Sequence, residues 1–131
     1  MKFAWSREEK GVEIPAPYQR TIKVLFAPDK ENIKEATLNQ VVIAPMSKTH
    51  YHCHNKAEFI YIISGEGIYN YEGKKFELYP DVALYIPPEE KHSLVNTSEK
   101  PLKMITFFVP SYNAEELYNS CLNSAKEERK D

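Results

Sequence analysis

Prolines cut this chain into short apolar runs, and that limits what it can fold into. Pro28, Pro45, Pro80, the Pro87-Pro88 pair and Pro110 each follow such a run. A proline lacks a backbone N–H and fixes φ, so it stops helices and stays out of central strand positions. The runs themselves alternate. Residues 20–26 (RTIKVLF) put Ile22, Val24 and Phe26 on one face, and residues 37–44 (TLNQVVIA) form a second strand. Further strands are expected at 58–64, 68–71, 76–79, 83–86, 93–96 and 102–109. Many short strands with polar turns predict an all-β barrel or sandwich.

The ends read differently. Residues 1–18 are charged and then proline-punctuated, an extended arm in which Phe3 and Trp5 alternate. Beyond Pro110, Asn113 with Glu116 three residues on reads as a capping box. Leu117, Cys121, Leu122 and Ala125 then recur at helical spacing. One C-terminal helix is expected in 111–131, fraying into KEERKD. The organisation is an arm (1–18), a barrel (19–110) and a helix with tail (111–131), one domain overall.

Charge narrows the function classes. In 131 residues, 17 Lys and Arg face 19 Asp and Glu, a net charge of −2, which gives no nucleic-acid footprint. No apolar leader and no stretch near the roughly 18 apolar residues of a membrane span is visible. Cys53 and Cys121 are too few and too far apart for a disulfide framework. A cytoplasmic protein without membrane or nucleic-acid partners is the expectation.

The chemistry concentrates in residues 50–67, HYHCHNKAEFIYIISGEG. His50, His52 and His54 alternate, and side chains two apart share a strand face. Glu58 lies four residues on, across a bend at Asn55-Lys56. His92 follows the Pro87-Pro88 stop, and barrel closure would bring it opposite. Imidazoles with a carboxylate suit a transition ion. An exposed polar strand end accounts for the spacing equally well.

The motifs go further. His52-x-His54-x3-Glu58-x6-Gly65 matches the first motif of the cupin superfamily, and Pro87 to Asn96 is similar to its second, P-x-G-x2-H-x3-N. The chain resembles cupins over roughly residues 38–110. It departs from them at Pro80, where a glycine usually precedes the Asp, and at Glu89, which replaces the glycine of P-x-G. Glu89 is therefore expected either to adopt a positive φ at a cost or to sit in a different turn. Asn96 matches the closing Asn, with a structural role.

The resemblance implies a cupin-type jelly-roll β-barrel, or double-stranded β-helix, with an N-terminal arm and one C-terminal helix. It implies that His52, His54, Glu58 and His92 hold a divalent transition ion, Zn, Fe, Mn or Ni. His50 then belongs at the pocket rim or behind the ligands, and Cys53 faces away as a buried, inert thiol. Gln40, Tyr61, Tyr69 and Tyr85 are further pocket candidates. Of Arg7, Arg20 and Arg129, Arg20 is the one positioned to reach a pocket. The implied function is a small-molecule enzyme that oxidises, isomerises or cleaves a small anionic or oxygenated metabolite. The alternative is a non-catalytic module that binds a sugar or other small molecule in the same pocket. Similar cupins are often homodimers, and the arm is a candidate to cover a partner's sheet edges.

Overall fold

The structure, a computed structural model, describes the backbone of residues 1–130 and the side chains of residues 1–126. Arg129 therefore lies outside the described side chains. Nine strands are present among the described residues: β1 (Val12–Ile14), β2 (Arg20–Phe26), β3 (Thr37–Ile43), β4 (Ala57–Ser64), β5 (Gly67–Tyr71), β6 (Lys74–Leu78), β7 (Ala83–Ile86), β8 (Ser93–Val95) and β9 (Leu102–Val109). One helix, α1 (Ala114–Lys130), follows. The strands form a six-stranded sheet, β1-β2-β3-β9-β4-β7, and a three-stranded sheet, β6-β5-β8. Every strand pairing is antiparallel. Ile60, Ile62 and Met104 of the larger sheet bury against Tyr69, Leu78 and Leu94 of the smaller. Each fully buried side chain of this size contributes about 1.5–3 kcal/mol. The result is the all-β jelly-roll barrel.

The arm holds a strand that its short VEI alternation did not reveal. β1 pairs with β2 in the same chain, Val12 opposite Ile22 and Ile14 opposite Arg20. A 3-10 turn at Ser6–Glu8 lies against the outer face of the larger sheet. There Lys23 Nζ donates to Ser6 O at 2.7 Å and Gln40 Nε2 to Ser6 Oγ at 3.2 Å. Phe3 and Trp5 pack edge to face at 6.3 Å and remain exposed.

The capping residue of α1 also differs from expectation. Asp29, from the loop after β2, accepts hydrogen bonds from Ala114 N (2.6 Å) and Glu115 N (3.1 Å). A cap supplied from 85 residues away ties the helix to the barrel, which a local capping box would not do. α1 then lays Leu117, Cys121 and Ala125 against Ile14, Ile22 and Phe108. Tyr118 Oη accepts from Val24 N at 2.7 Å, beside the register shift between Val24 and Phe26.

Three turns set the barrel's shape. Gly65 has φ +93° and carries the chain from the larger sheet to the smaller, and a Cβ there would lie 2.4 Å from Pro101 O. Only glycine fits. Glu89 takes a left-handed conformation, φ 72°, as does Asp81, φ 74°. The buried Asn96 ties its own turn to the end of β3: its Nδ2 lies within hydrogen-bond distance of Ile43 O (3.1 Å), Ala44 O (3.2 Å) and Lys100 O (2.7 Å). Its Oδ1 accepts from Ser98 N at 3.0 Å. No helix among the described residues is long and apolar enough to cross a membrane.

Opposite stability effects are expected at two of these positions. Asn96→Ala removes hydrogen bonds to the buried Ile43 carbonyl and the part-buried Ala44 and Lys100 carbonyls, and should cost about 2–3 kcal/mol in urea unfolding. Glu89→Gly relieves a left-handed residue and should gain about 0.5–1 kcal/mol. A loss of stability on Glu89→Gly would show that its side chain supports the turn.

Candidate metal centre

The site begins with a backbone contact. Residues 50–54 form no regular strand, yet His52 and His92 pair as an isolated antiparallel bridge. His52 N donates to His92 O at 2.9 Å, and His92 N returns a bond to His52 O at 2.8 Å. Two imidazoles 40 positions apart thus stand side by side, ring centroids 4.6 Å apart. The turn at Glu89 secures the next residue, because Glu89 N donates to His54 O at 2.7 Å. The chain bends at Asn55 and Lys56 before entering β4, where Glu58 lies opposite Ile86 and Phe108.

One ring nitrogen from each of His52, His54 and His92 lies within 4.8 Å of the other two. His52 Nε2 and His54 Nε2 are 3.1 Å apart. Two nitrogens each about 2.1 Å from one ion would be about 3.0 Å apart at a right angle and about 3.4 Å at the tetrahedral angle. The observed separation falls between those values.

Backbone carbonyls set two of the tautomers. His52 Nδ1 lies 2.6 Å from His50 O, and His92 Nδ1 lies 2.8 Å from Glu90 O. A carbonyl only accepts, so each Nδ1 carries a hydrogen and each Nε2 is turned to the cluster, that of His52 towards His54 Nε2 and that of His92 towards Glu58. Packing holds the rings in place. His54 sits edge-on to Phe108 at 4.7 Å, and Tyr69 stacks on His92 at 5.5 Å and 16°. Tyr69 Oη also donates to Glu90 Oε2 at 2.7 Å, bracing the residue whose carbonyl orients His92.

Electrostatics make the pocket receptive to a cation. Glu58 Oε1 is 3.6 Å from His92 Nε2 and 3.9 Å from His54 Nε2, beyond hydrogen-bond length. It is buried without a hydrogen-bond partner. Burial, then the neighbouring imidazoles, pushes His52 down to about 2. Burial also lowers His54, against the pull of Glu58. Burial opposes protonation of His92 as well, but the Glu58 carboxylate and Glu90 carbonyl outweigh it and leave the ring above its ordinary value. Imidazoles at His52 and His54 that burial keeps neutral, with His92 beside a carboxylate oxygen that lacks a hydrogen-bond partner, are the kind of donor set a divalent transition ion takes. The residues fit the ion.

These groups open on an interior cavity of about 60 Å³, walled also by Arg20, Asn39, Thr106, Leu117 and Cys121. His54 and Leu117 also line an outer groove of about 280 Å³ beside α1. The expected pocket residues separate. His50 is half-buried, stacks near His52 at 4.3 Å and acts through its carbonyl. Burial, and then the Arg20 charge, brings its ring down to about 4. Tyr69 stands behind His92. Gln40, Tyr61 and Tyr85 are not in the cavity wall. Gln40 bonds the N-terminal arm, Tyr61 donates to Asp81 Oδ1 at 2.8 Å, and Tyr85 is 59% exposed against Phe59. Cys53 faces away from the cavity, half-buried rather than buried, with Sγ 3.9 Å from Glu89 Oε2. Asn39, the neighbour of Gln40, and the helix residues Leu117 and Cys121 were not anticipated. For Asn39, strand phase was an available signal, since it shares a face with the buried Thr37 and Ile43.

Comparison with known proteins agrees with this geometry. An uncharacterized protein of Methanocaldococcus jannaschii is 31% identical over 96 residues, 72% of this chain and 77% of that protein. An L-ectoine synthase of Bordetella petrii is 30% identical over 86 residues, 64% of each chain. The crystal structure of an ectoine synthase from P. lautus has the same fold, with a TM-score of 0.76 at 20% identity, covering 92% of this chain and 86% of that one. Residues 39–108 match the family model for the cupin domain. With the two motifs, the jelly roll and the clustered histidines all inside or beside that span, the chain belongs to the cupin family.

Proposed function

We propose that this cupin is a metal-dependent enzyme acting on a small anionic or oxygenated metabolite. His52, His54, His92 and Glu58 would hold one divalent transition ion. The observation that carries this reading is a cluster of three imidazoles, two of which, His92 and His54, stand 3.6 Å and 3.9 Å from a buried Glu58 oxygen that has no hydrogen-bond partner. The ion supplies a Lewis-acid or redox centre that polarises or activates a bound oxygen group. The chain's own residues do the rest. His50 and Glu90 carbonyls fix the ring tautomers, and Phe108 and Tyr69 hold the rings. Oxidation, isomerisation and lysis are all compatible with such a centre. The ectoine synthases among its relatives support an enzyme.

One observation favours the non-catalytic binding module. Beyond the proposed ligands, the described cavity wall holds no carboxylate or imidazole to act as a general acid or base. Turnover decides between the two. The reading also includes a homodimer, supported by apolar surface on β4 and the edge strand β7, where Tyr61, Ile63 and Tyr85 are exposed.

Protein purified without added metal should contain about one equivalent of a transition ion. His52→Ala and His92→Ala should each lose it, and a wild type that stays metal-free on titration removes the proposal. Product formation from a panel of small carboxylates, catechols and sugar phosphates supports the enzyme; tight binding without turnover supports the module. Ion and proton compete for His92, whereas the pKa of His52 is too low for it to bind a proton near neutral pH. Metal affinity should therefore fall about tenfold per pH unit as pH drops below the His92 value, which lies above 6.5. A steeper, three-proton fall contradicts the assignment of neutral His52 and His54. Sedimentation should give twice the 15.2 kDa chain mass, reduced by Tyr85→Lys; a wild-type monomer removes the dimer.

A further inference from the structure

One cation in the cavity wall is in no ion pair, although the Glu58 carboxylate lines the same cavity. Arg20 opens β2, and strand alternation turns it inward with Ile22 and Val24. Only 5% of it is exposed. Its Nη1 donates to Tyr18 O at 3.0 Å, and the Cys121 thiol lies beside it. Neither partner is an anion, because burial pushes the Cys121 thiol up and keeps its proton on. Among the described residues the ion pairs join Lys30 to Glu9, and His54 and His92 to Glu58; none includes Arg20.

A guanidinium offers five N–H donors in a planar fork that matches a carboxylate. Burying that charge without an ion pair is costly, and folded proteins rarely leave it so. A second wall residue is also left open. Asn39, 1% exposed, donates through Nδ2 to Thr106 Oγ1 at 3.1 Å, while its Oδ1 has no donor. The wall therefore holds a cation without a direct ion pair and an unused acceptor on one cavity. At roughly 10–15 Å³ per water-sized site, its 60 Å³ favours a small ligand.

We propose that Arg20 is the anchor for the ligand's carboxylate, so that the cavity selects small carboxylates carrying a further polar group towards the histidines. This deepens the reading of the cavity as the ligand site of a metal centre, and the test separates the two. Protein of measured metal content is titrated with glycolate and with its uncharged analogue glycolamide, by thermal shift and calorimetry, alongside Arg20→Met and Arg20→Lys. Glycolate should raise the wild-type Tm and bind at least tenfold more tightly than glycolamide. Arg20→Met should keep its metal, melt no lower than wild type because the unpaired charge is gone, and lose the preference. Arg20→Lys keeps the charge but not the fork, so it should weaken glycolate severalfold; this comparison carries the test if Arg20→Met fails to fold. Equal glycolate affinity in wild type and both variants overturns the anchor, and so does a wild type indifferent to glycolate. If wild type proves metal-free yet prefers glycolate through Arg20, the metal reading fails and the anchor stands.

Discussion

The reciprocal hydrogen bonds between the backbones of His52 and His92 are the contact on which the site depends. They join the segment before β4 to the segment before β8, and so hold the two sheets together at the cavity. They also place two imidazoles at neighbouring positions without any side-chain contact having to do so. The remaining features follow in order. The Glu89 turn pins His54 to the same frame, and the bend at Asn55-Lys56 delivers Glu58 from the start of β4. The left-handed strain at Glu89 is tolerated because surrounding structure over-determines the turn.

Strands with clear period-2 alternation and proline stops were legible in the sequence, and the observed β2, β7 and β9 coincide with the runs read there. What was illegible depends on long-range contacts. β1 is too short to show a period and exists because β2 offers it an edge. The cap on α1 comes from Asp29, so no local motif announces it. Gln40 and Asn39 illustrate the phase problem: both faces of β3 carry apolar residues, because the arm covers the outer one. A slip of one position exchanges a cavity residue for an outward one. Tyr61 and Tyr85 point outward for the same reason.

Polar atoms without partners gather at or beside the cavity. A domain of this size normally satisfies its buried polar atoms, yet Glu58 Oε1, Asn39 Oδ1 and His50 Nδ1 are left without partners. Two of these lie on residues in one cavity wall that also carries a buried arginine. Such unsatisfied groups cost stability in the empty fold and are retained where a ligand completes them. On this account the barrel supplies rigidity and the cavity supplies unmet demand.

The central claim is that three histidines and one glutamate form a single metal-binding set. X-ray absorption at the edge of the purified protein's metal tests it most directly. The account predicts about three imidazole nitrogens and at least one oxygen, all at about 2.0–2.2 Å. A sulfur scatterer at about 2.3 Å, or fewer than two imidazoles, would contradict it.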